Sequence, residues 1–349
     1  MKPKKSWKKV VGILFFIALN VAVIAATAIN EFGNSENAAE LSTIQIKWWW
    51  LVPAVVALAL ATLGNVYNYV SMIRQAYSDH ADRPLPKKSV IWKTAWRTVM
   101  LGKYYDNITP AAIGGQPFQI YYMRKESGLP AGYATSIPIF GMVAGQIGFL
   151  VLAIPCFIIA TFSGFSPALM TLAWIGLLFF AFWPVMILGF SFFPKPTTKF
   201  LQFIIKILAK IKLVKNRKKA LDKIETEVEE YTKAIDLIIK TRKLSIKILG
   251  LSVFYQAMIA IIPFFVLTAF GGNVDFINCF MTSLAVISSV YFVPTPGNAG
   301  AAEGTFYLVF SALAKGYVFW AMLVWRFLSY YIYIIVGPLT YIRMHFEKK

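Results

Sequence analysis

The sequence predicts an all-α polytopic membrane protein with about six full transmembrane helices and two re-entrant broken hairpins in an inverted-repeat arrangement. Of its 349 residues, 58% are hydrophobic, and the mean hydropathy is +0.61. Charged residues are confined to a few blocks between long apolar runs, and two apolar segments are interrupted by stretches rich in proline and glycine. This combination excludes an ordinary soluble domain.

The charge distribution indicates a membrane surface as the main partner. A net charge of +19 would suggest nucleic acid in a soluble chain, but these basic residues lie beside apolar runs. That placement is typical of the positive-inside rule and of attraction to anionic lipid head groups. We therefore expect a multi-pass protein of the cell (plasma) membrane, with both termini in the cytoplasm, membrane phospholipids as partners and no nucleic-acid partner.

The first two spans are predicted at residues 10–29 and 48–72. Five lysines precede the first span, and the segment 30–45 contains three glutamates and no basic residue, which indicates that it lies outside. Three consecutive tryptophans at 48–50 form an interfacial belt at the start of the second span. The basic residues that follow it mark a cytoplasmic loop.

The first broken hairpin is predicted around residues 106–116. A mixed segment at 90–100 leads into it, and residues 118–123 lead out of it to Arg124 and Lys125. Because both flanks are basic, the hairpin is expected to enter from the cytoplasm and return there.

The whole chain, 1–349, is predicted to be one membrane domain with repeat-like halves at about 48–193 and 248–343. The first half ends with spans at 133–161 and 167–193. A basic segment at 195–247 joins the halves, and its apolar residues between 200 and 211 have the spacing of an amphipathic helix on a membrane surface. A second, mixed-charge helix is predicted at 218–243, and a further span at 248–270.

The second broken hairpin is predicted around residues 293–304, where two prolines and three glycines interrupt an apolar region. The Thr-Pro-x-x-x-Gly spacing of Thr295 to Gly300 repeats that of Thr109 to Gly114. For the last span, 317–341, to end inside, this hairpin must enter from the opposite face to the first, as in an inverted repeat. Unwound backbone at membrane depth is tolerated only in protein or around a water-filled cavity, which is the usual setting of a transport site.

Three charged residues are predicted at membrane depth: Asp106, Glu303 and Arg326. Counted from the turn near residue 315, Glu303 and Arg326 lie about 18 and 15 Å deep, near the middle of a core about 30 Å thick. They can therefore face each other, either as a buried pair that fixes helix packing or as a site where Arg326 holds a lipid phosphate. Gln146 and Gln256 can line the same cavity or bridge helices.

No catalytic, cofactor or metal site is predicted. Cys156 and Cys279 lie within apolar runs, and the two histidines are far apart in the sequence. The predicted substrate-binding and transport residues are the polar, glycine, proline and charged residues of the two breaks and the last span. They are Asp106, Asn107, Thr109, Pro110, Gly114, Gly115, Gln116, Arg124, Pro294, Thr295, Pro296, Gly297, Asn298, Gly300, Glu303 and Arg326.

At these breaks the chain resembles the lysylphosphatidylglycerol synthase transmembrane region, also called flippase-like integral membrane proteins. The matching residues of the first hairpin are Asn107, Pro110, Gly114, Gly115, Pro117 and Arg124. Those of the second are Pro294 to Gly297, Gly300 and Glu303, with Arg326 in the last span. The resemblance implies a bacterial flippase or scramblase that moves a phospholipid, such as aminoacylated phosphatidylglycerol, between leaflets, and thereby resistance to cationic peptides.

Two departures from the family pattern keep alternatives open. Gln116 and Gln119 stand where many members have an acidic and a basic residue, so the head group is undetermined. The sequence stops at Lys349 without the soluble aminoacyl-transfer domain of bifunctional members, so we expect a transporter more than an enzyme. The alternatives are a phosphatidylglycerol lysyltransferase using aminoacyl-tRNA and a small-solute transporter. A separate lipid synthase and a second copy of the chain are further candidate partners.

Overall fold

The structure, a computed structural model, describes most of the chain from residue 46 onward. The described residues are Ile29, 46–79, 84–109, 114–210, 228, 229, 232, 235, 236, 239, 241–313 and 318–347. They form helices joined by turns, with no β-strand among them. The fold is therefore all-α, as predicted.

The helices are numbered here in chain order. A short 3₁₀ turn at Trp48–Trp50 leads into α1. The helices are α1 (Leu51–Ser78), α2 (Lys88–Ile108), α3 (Gly115–Glu126), α4 (Ala131–Phe162), α5 (Pro167–Phe192), α6 (Pro194–Lys210), α7 (Arg242–Ala269), α8 (Phe276–Ser289), α9 (Ala301–Leu313), α10 (Val318–Arg326) and α11 (Ile332–Phe346). A π-helical segment, Phe327–Tyr331, joins α10 to α11 into one continuous helix.

Five helices of the described region are long and apolar enough to cross a membrane, which makes this a polytopic membrane protein. They are Trp48–Ser78, Ala131–Phe162, Pro167–Phe190, Arg242–Ala269 and Val318–Met344. They coincide with five of the six predicted spans. The sixth, at residues 10–29, lies outside the described residues apart from Ile29.

The two predicted hairpins are present as pairs of helices separated by a break. In the second, α8 and α9 have 14 and 13 residues and are each about 20 Å long, too short to cross a core of about 30 Å alone. In the first, α2 continues to Ile108, so Asp106 and Asn107 belong to the helix and not to the break predicted there. The helix extends further because both side chains bond to backbone groups beyond it, as described below. The inverted relation between the hairpins stays a prediction.

The core is built around α7, which packs between α1 and α4. Gly148 of α4 lies so close to α7 that an added Cβ would be 2.8 Å from the backbone carbon of Ser252. Small residues allow this kind of close helix approach in membranes. The first hairpin packs against α1, α4 and α11, and the second packs against α4, α5 and α7.

Apolar side chains cover the outer surface of the bundle. Leu178, Val185, Ile277 and Leu308 are each at least 63% exposed, as expected for side chains that contact lipid tails. Helix α6 also has the predicted amphipathic character, with Phe200, Phe203 and Ile207 exposed. Most of the predicted second helix at 218–243 lies outside the described residues.

The end of the last helix is joined to the start of the first hairpin by ion pairs. The Glu347 carboxylate contacts the Lys93 ammonium and lies 2.5 Å from the Arg97 guanidinium, and both partners belong to α2. This contact brings the start of α2 and the C-terminal end of α11 to the same end of the bundle. The predicted topology also places both at one face of the membrane, and that this face is the cytoplasmic one stays a prediction.

We expect this ion-pair cluster to make a pH-dependent contribution to stability. Hydrogen bonds from Lys93 and then Arg97 lower the pKa of the Glu347 carboxyl to about 2, below its ordinary value of 4.5. A lowered folded-state pKa stabilises the protein above about pH 4.5, and this stabilisation is lost as the pH falls toward 2. The difference in melting temperature between the intact protein and Glu347→Gln should therefore shrink across that window. A constant difference from pH 6 to pH 3 would contradict the ion-pair assignment.

Candidate functional site between the two broken hairpins

The second break is a compact turn that holds the start of α9. Asn298 and Ala299 donate backbone hydrogen bonds to Thr295 and Pro296, at 3.1 Å each, and the Thr295 hydroxyl donates to the Ala299 carbonyl at 2.9 Å. Gly297 and Asn298 both have a φ of 56°, in the left-handed region that glycine and asparagine tolerate best. The Pro-Gly-Asn sequence thus suits a backbone that cannot continue as a helix.

Glu303 and Arg326 form the buried ion pair that the sequence predicted. Arg326 Nε lies 2.5 Å from Glu303 Oε1, and the two residues are 6% and 1% exposed. Glu303 Oε2 also accepts a hydrogen bond of 2.7 Å from the Gly300 amide at the start of α9. The Arg326 terminal nitrogen Nη2 donates to the Gly297 carbonyl at 2.9 Å. The pair therefore satisfies one backbone group within the turn and one at the start of α9.

The first break is held by the same kind of contact. Asp106 Oδ1 accepts a 2.9 Å hydrogen bond from the Gly115 amide at the start of α3. The Thr109 hydroxyl accepts one of 2.8 Å from the Gly114 amide and donates to the Tyr105 carbonyl. Each break thus has a carboxylate on the amide end of its second helix, where the helix dipole favours negative charge. Pro110 lies outside the described residues.

The two breaks meet at the π-helical segment of the last span. Asn107 Nδ2 donates to the Tyr330 carbonyl, and the Tyr330 hydroxyl donates to the Asn107 carbonyl, both at 3.1 Å. The Arg326 guanidinium lies over the Tyr330 ring, 4.2 Å from its centre, and the ring also packs closely against Gly297. Tyr330 therefore links both hairpins to the buried ion pair.

A cavity of about 370 Å³, lined by both polar and apolar residues, lies between the breaks and the central helices. Its lining includes one carboxylate, Asp106, and two cations, Lys103 and Arg326. Asparagine and glutamine side chains make up much of the remaining wall, together with five tyrosines. The amides are Asn65, Asn68, Asn107, Gln116, Gln119, Gln146, Gln256 and Asn298, and the tyrosines are Tyr69, Tyr255, Tyr291, Tyr330 and Tyr333.

The predicted site residues divide into two groups. Asp106, Asn107, Gln116, Gly297, Asn298 and Arg326 line the cavity. Thr109, Gly114, Gly115, Thr295, Gly300 and Glu303 shape the breaks behind the wall, and Pro294 and Pro296 lie in the second turn without lining the cavity. Arg124 is separate from both groups: it is exposed at the end of α3 and donates to the Thr135 hydroxyl at 2.9 Å.

Gln146 and Gln256 both line the cavity, which is one of the two roles that the sequence left open. Gln256 of α7 also bridges to α4, whereas Gln146 of α4 bonds to the segment that follows α8. Gln146 donates to the Tyr291 hydroxyl at 2.8 Å, and Gln256 donates to the Gly145 carbonyl at 2.9 Å.

Sequence reasoning missed Lys103 and the wall residues of α1. Lys103 is one helical turn before Asp106 and lies 5.1 Å from the centre of the Tyr255 ring. Asn65, Asn68 and Tyr69 are spaced along one face of α1 and all line the cavity. In the sequence they form a cluster of polar residues in an otherwise apolar span. The average hydropathy of a span does not show which of its residues face a cavity.

No group of three or more metal-ligating side chains occurs in the part of the chain that the structure describes. What the site offers instead is a set of hydrogen-bonding groups and fixed charges inside an apolar bundle.

Comparison with known proteins identifies one family. A family model described as lysylphosphatidylglycerol synthase TM region matches residues 9–337. A search of curated proteins and a search of solved structures find no match to the chain.

Proposed function

The chain belongs to the lysylphosphatidylglycerol synthase transmembrane-region family and so has a membrane lipid-related function; on that premise we propose that it moves a phospholipid between leaflets. The observation that supports transport is the cavity between the broken hairpins, to which both contribute polar side chains. A head group requires polar surroundings while its acyl tails remain in lipid, and the exposed apolar surface of the bundle is suited to those tails. Phosphatidylglycerol and its lysyl ester are the substrates to compare.

The lipid phosphate is proposed to bind between Lys103 and Arg326. Arg326 already donates to Glu303 and to the Gly297 carbonyl, which fixes its position in the wall. Lys103 forms no ion pair within 4.0 Å with a carboxylate of the described residues. Its ammonium bonds to the Tyr255 side chain, but it has three N–H donors and so keeps donors for a phosphate oxygen.

Leaflet exchange of labelled lipid in proteoliposomes tests the proposal. The intact protein should exchange labelled phosphatidylglycerol faster than protein-free liposomes. Lys103→Met should slow this exchange at least tenfold, because a hydrogen bond to a charged group contributes about 1.5–3 kcal/mol.

Lys88→Met provides a matched control, since Lys88 is exposed at the other end of the same helix. It should exchange lipid at the rate of the intact protein. If the intact protein moves neither phosphatidylglycerol nor its lysyl ester, lipid transport by this chain is contradicted. If Lys103→Met is as fast as Lys88→Met, the phosphate role of Lys103 is contradicted.

A further inference from the structure

We infer that a groove at one end of the bundle, between the first half of α2 and the end of α11, binds an anionic phospholipid from the surrounding membrane. The lipid phosphate contacts a basic rim, and the acyl chains lie on an apolar floor. This groove is separate from the cavity between the hairpins, since the two share no lining residue. The inference therefore does not depend on the proposed transport.

The spacing of the lining residues places one face of each helix on the groove. Lys93, Trp96 and Arg97 lie three or four residues apart in α2, and the lining residues from Val336 to Glu347 repeat in the same way along α11. They surround a volume of about 350 Å³. At 1.5 Å per helical residue, Val336 lies about 16 Å from Glu347 along the axis. The groove is thus long enough for a head group and the first part of its acyl chains.

The rim of the groove carries more positive charge than its carboxylate neutralises. Lys93, Arg97 and Arg343 supply three positive charges, and among the described lining residues only Glu347 supplies a negative one, which leaves a formal excess of +2. Glu347 contacts all three cations, but Arg343 Nε only at 3.4 Å. A phosphodiester carries one negative charge and accepts hydrogen bonds from such cations. An anionic head group therefore complements this rim.

Arg343 and Lys93 are the cations that a phosphate can reach. Their side chains are 82% and 49% exposed, whereas that of Arg97 is only 11% exposed. Arg97 also donates to the Tyr122 hydroxyl, so it serves mainly to hold Glu347 in place. Arg343 has five N–H donors and a lysine has three, so both keep donors for phosphate oxygens.

The floor of the groove is continuous with the surface that contacts lipid tails. Leu339 and Trp96 line it and are 59% and 39% exposed. Leu339 belongs to the membrane span Val318–Met344. A tryptophan between a charged rim and an apolar surface is typical of the membrane interface. Because the apolar part of the groove faces hydrocarbon, a lipid fits it better than a soluble anion does.

Quenching of Trp96 fluorescence by brominated lipids tests the inference with the full-length protein. The protein is reconstituted in phosphatidylcholine vesicles that contain a small fraction of either phosphatidylglycerol or phosphatidylcholine with dibrominated acyl chains. The difference between the intact protein and Trp96→Phe gives the fluorescence of Trp96. Brominated phosphatidylglycerol should quench it at least about threefold more strongly than brominated phosphatidylcholine, because hydrogen bonds between ionised groups favour the anionic lipid.

Arg343→Gln removes the most exposed cation of the rim, and Arg242→Gln is its matched control. Arg242 is an exposed arginine at the start of α7 and does not line the groove. We expect Arg343→Gln to abolish the preference for phosphatidylglycerol at Trp96 and Arg242→Gln to preserve it.

Glu347→Gln tests the sign of the charge argument. It removes the carboxylate that shares the cations of the rim, so the preference for phosphatidylglycerol should increase. A lower preference in this variant would contradict the charge balance on which the inference rests.

Three further results would overturn the inference. The first is equal quenching of Trp96 by the two brominated lipids. The second is an equal loss of preference in Arg343→Gln and Arg242→Gln, which indicates a diffuse attraction of anionic lipid to a basic protein. The third is relief of the quenching by excess inorganic phosphate at constant ionic strength, which assigns the groove to a soluble anion.

Fluorescence quenching and leaflet exchange separate the groove from the cavity. Lys103→Met should slow exchange and leave the preference at Trp96 unchanged, since Lys103 lines only the cavity. If the intact protein moves no lipid but Trp96 shows the preference, the transport proposal fails and the groove assignment stands. If it moves lipid without that preference, transport stands and the groove assignment fails.

Discussion

Glu303→Gln is expected to lower the free energy of unfolding by about 3–5 kcal/mol, because it leaves the Arg326 guanidinium buried without its counter-ion. The Glu303 carboxylate contacts Arg326 at 2.5 Å and the Gly300 amide at 2.7 Å, and it is 1% exposed. The substitution therefore removes a charge pair and weakens the bond that holds the start of α9. Unfolding by SDS in mixed micelles measures the loss.

The double variant Glu303→Gln with Arg326→Met distinguishes the effect of the unpaired charge from the effect of lost local contacts. If an unpaired buried cation causes the loss, the double variant should be more stable than Glu303→Gln alone. It should still be less stable than the intact protein, because the Gly297 carbonyl loses its donor. If the double variant is no more stable than Glu303→Gln alone, the loss of stability comes from local contacts and not from the unpaired charge.

Gly297→Ala is expected to destabilise the protein by about 2–5 kcal/mol, for two reasons that add. A Cβ at residue 297 would lie 2.2 Å from a ring carbon of Tyr330, and relieving that overlap costs about 1–3 kcal/mol. The φ of 56° costs a further 1–2 kcal/mol, roughly, for a residue with a side chain. The same SDS titration measures this change. Because the Tyr330 ring must move, lipid exchange should slow as well.

Gly304→Ala is a matched control in the helix that follows the same break. Gly304 lies inside α9, and no atom is within 4 Å of an added Cβ. Alanine there should be neutral or should stabilise the helix by up to about 1 kcal/mol. If Gly297→Ala is as stable as Gly304→Ala, the close packing of the second break against Tyr330 is wrong.

Much of the fold could be predicted from the sequence because hydropathy and basic loops act locally. Five predicted spans coincide with helices of the structure, and the predicted pairing of Glu303 with Arg326 is confirmed by their contact. The buried pair could be predicted because both charged residues lie at similar numbers of residues from the same turn. The end of α2 was less predictable, since Asp106 is stabilised in the helix by a bond to the distant Gly115 amide.

The cavity wall could be predicted only in part. The positive-inside rule concerns basic residues at the ends of a span, so it favours an interfacial position for Lys103, whereas the structure places this residue on the cavity wall. Whether Asn68 lies against lipid, a helix or a cavity depends on the packing of α1 against α7, which no local pattern encodes. Arg124 matches the family pattern, but the structure places it on the surface beside Thr135 and away from the cavity, so its role in transport stays a prediction.

The uneven lengths of the helices create a hydrophobic mismatch around the perimeter of the protein. At 28 and 32 residues, α1 and α4 are about 42 and 48 Å long, which is well above the thickness of a hydrocarbon core of about 30 Å. Helices α8 and α9 are about 20 Å long, and Ile277 and Leu308 expose their side chains on that flank. We therefore expect a bilayer to be thinner beside the second hairpin than elsewhere around the protein.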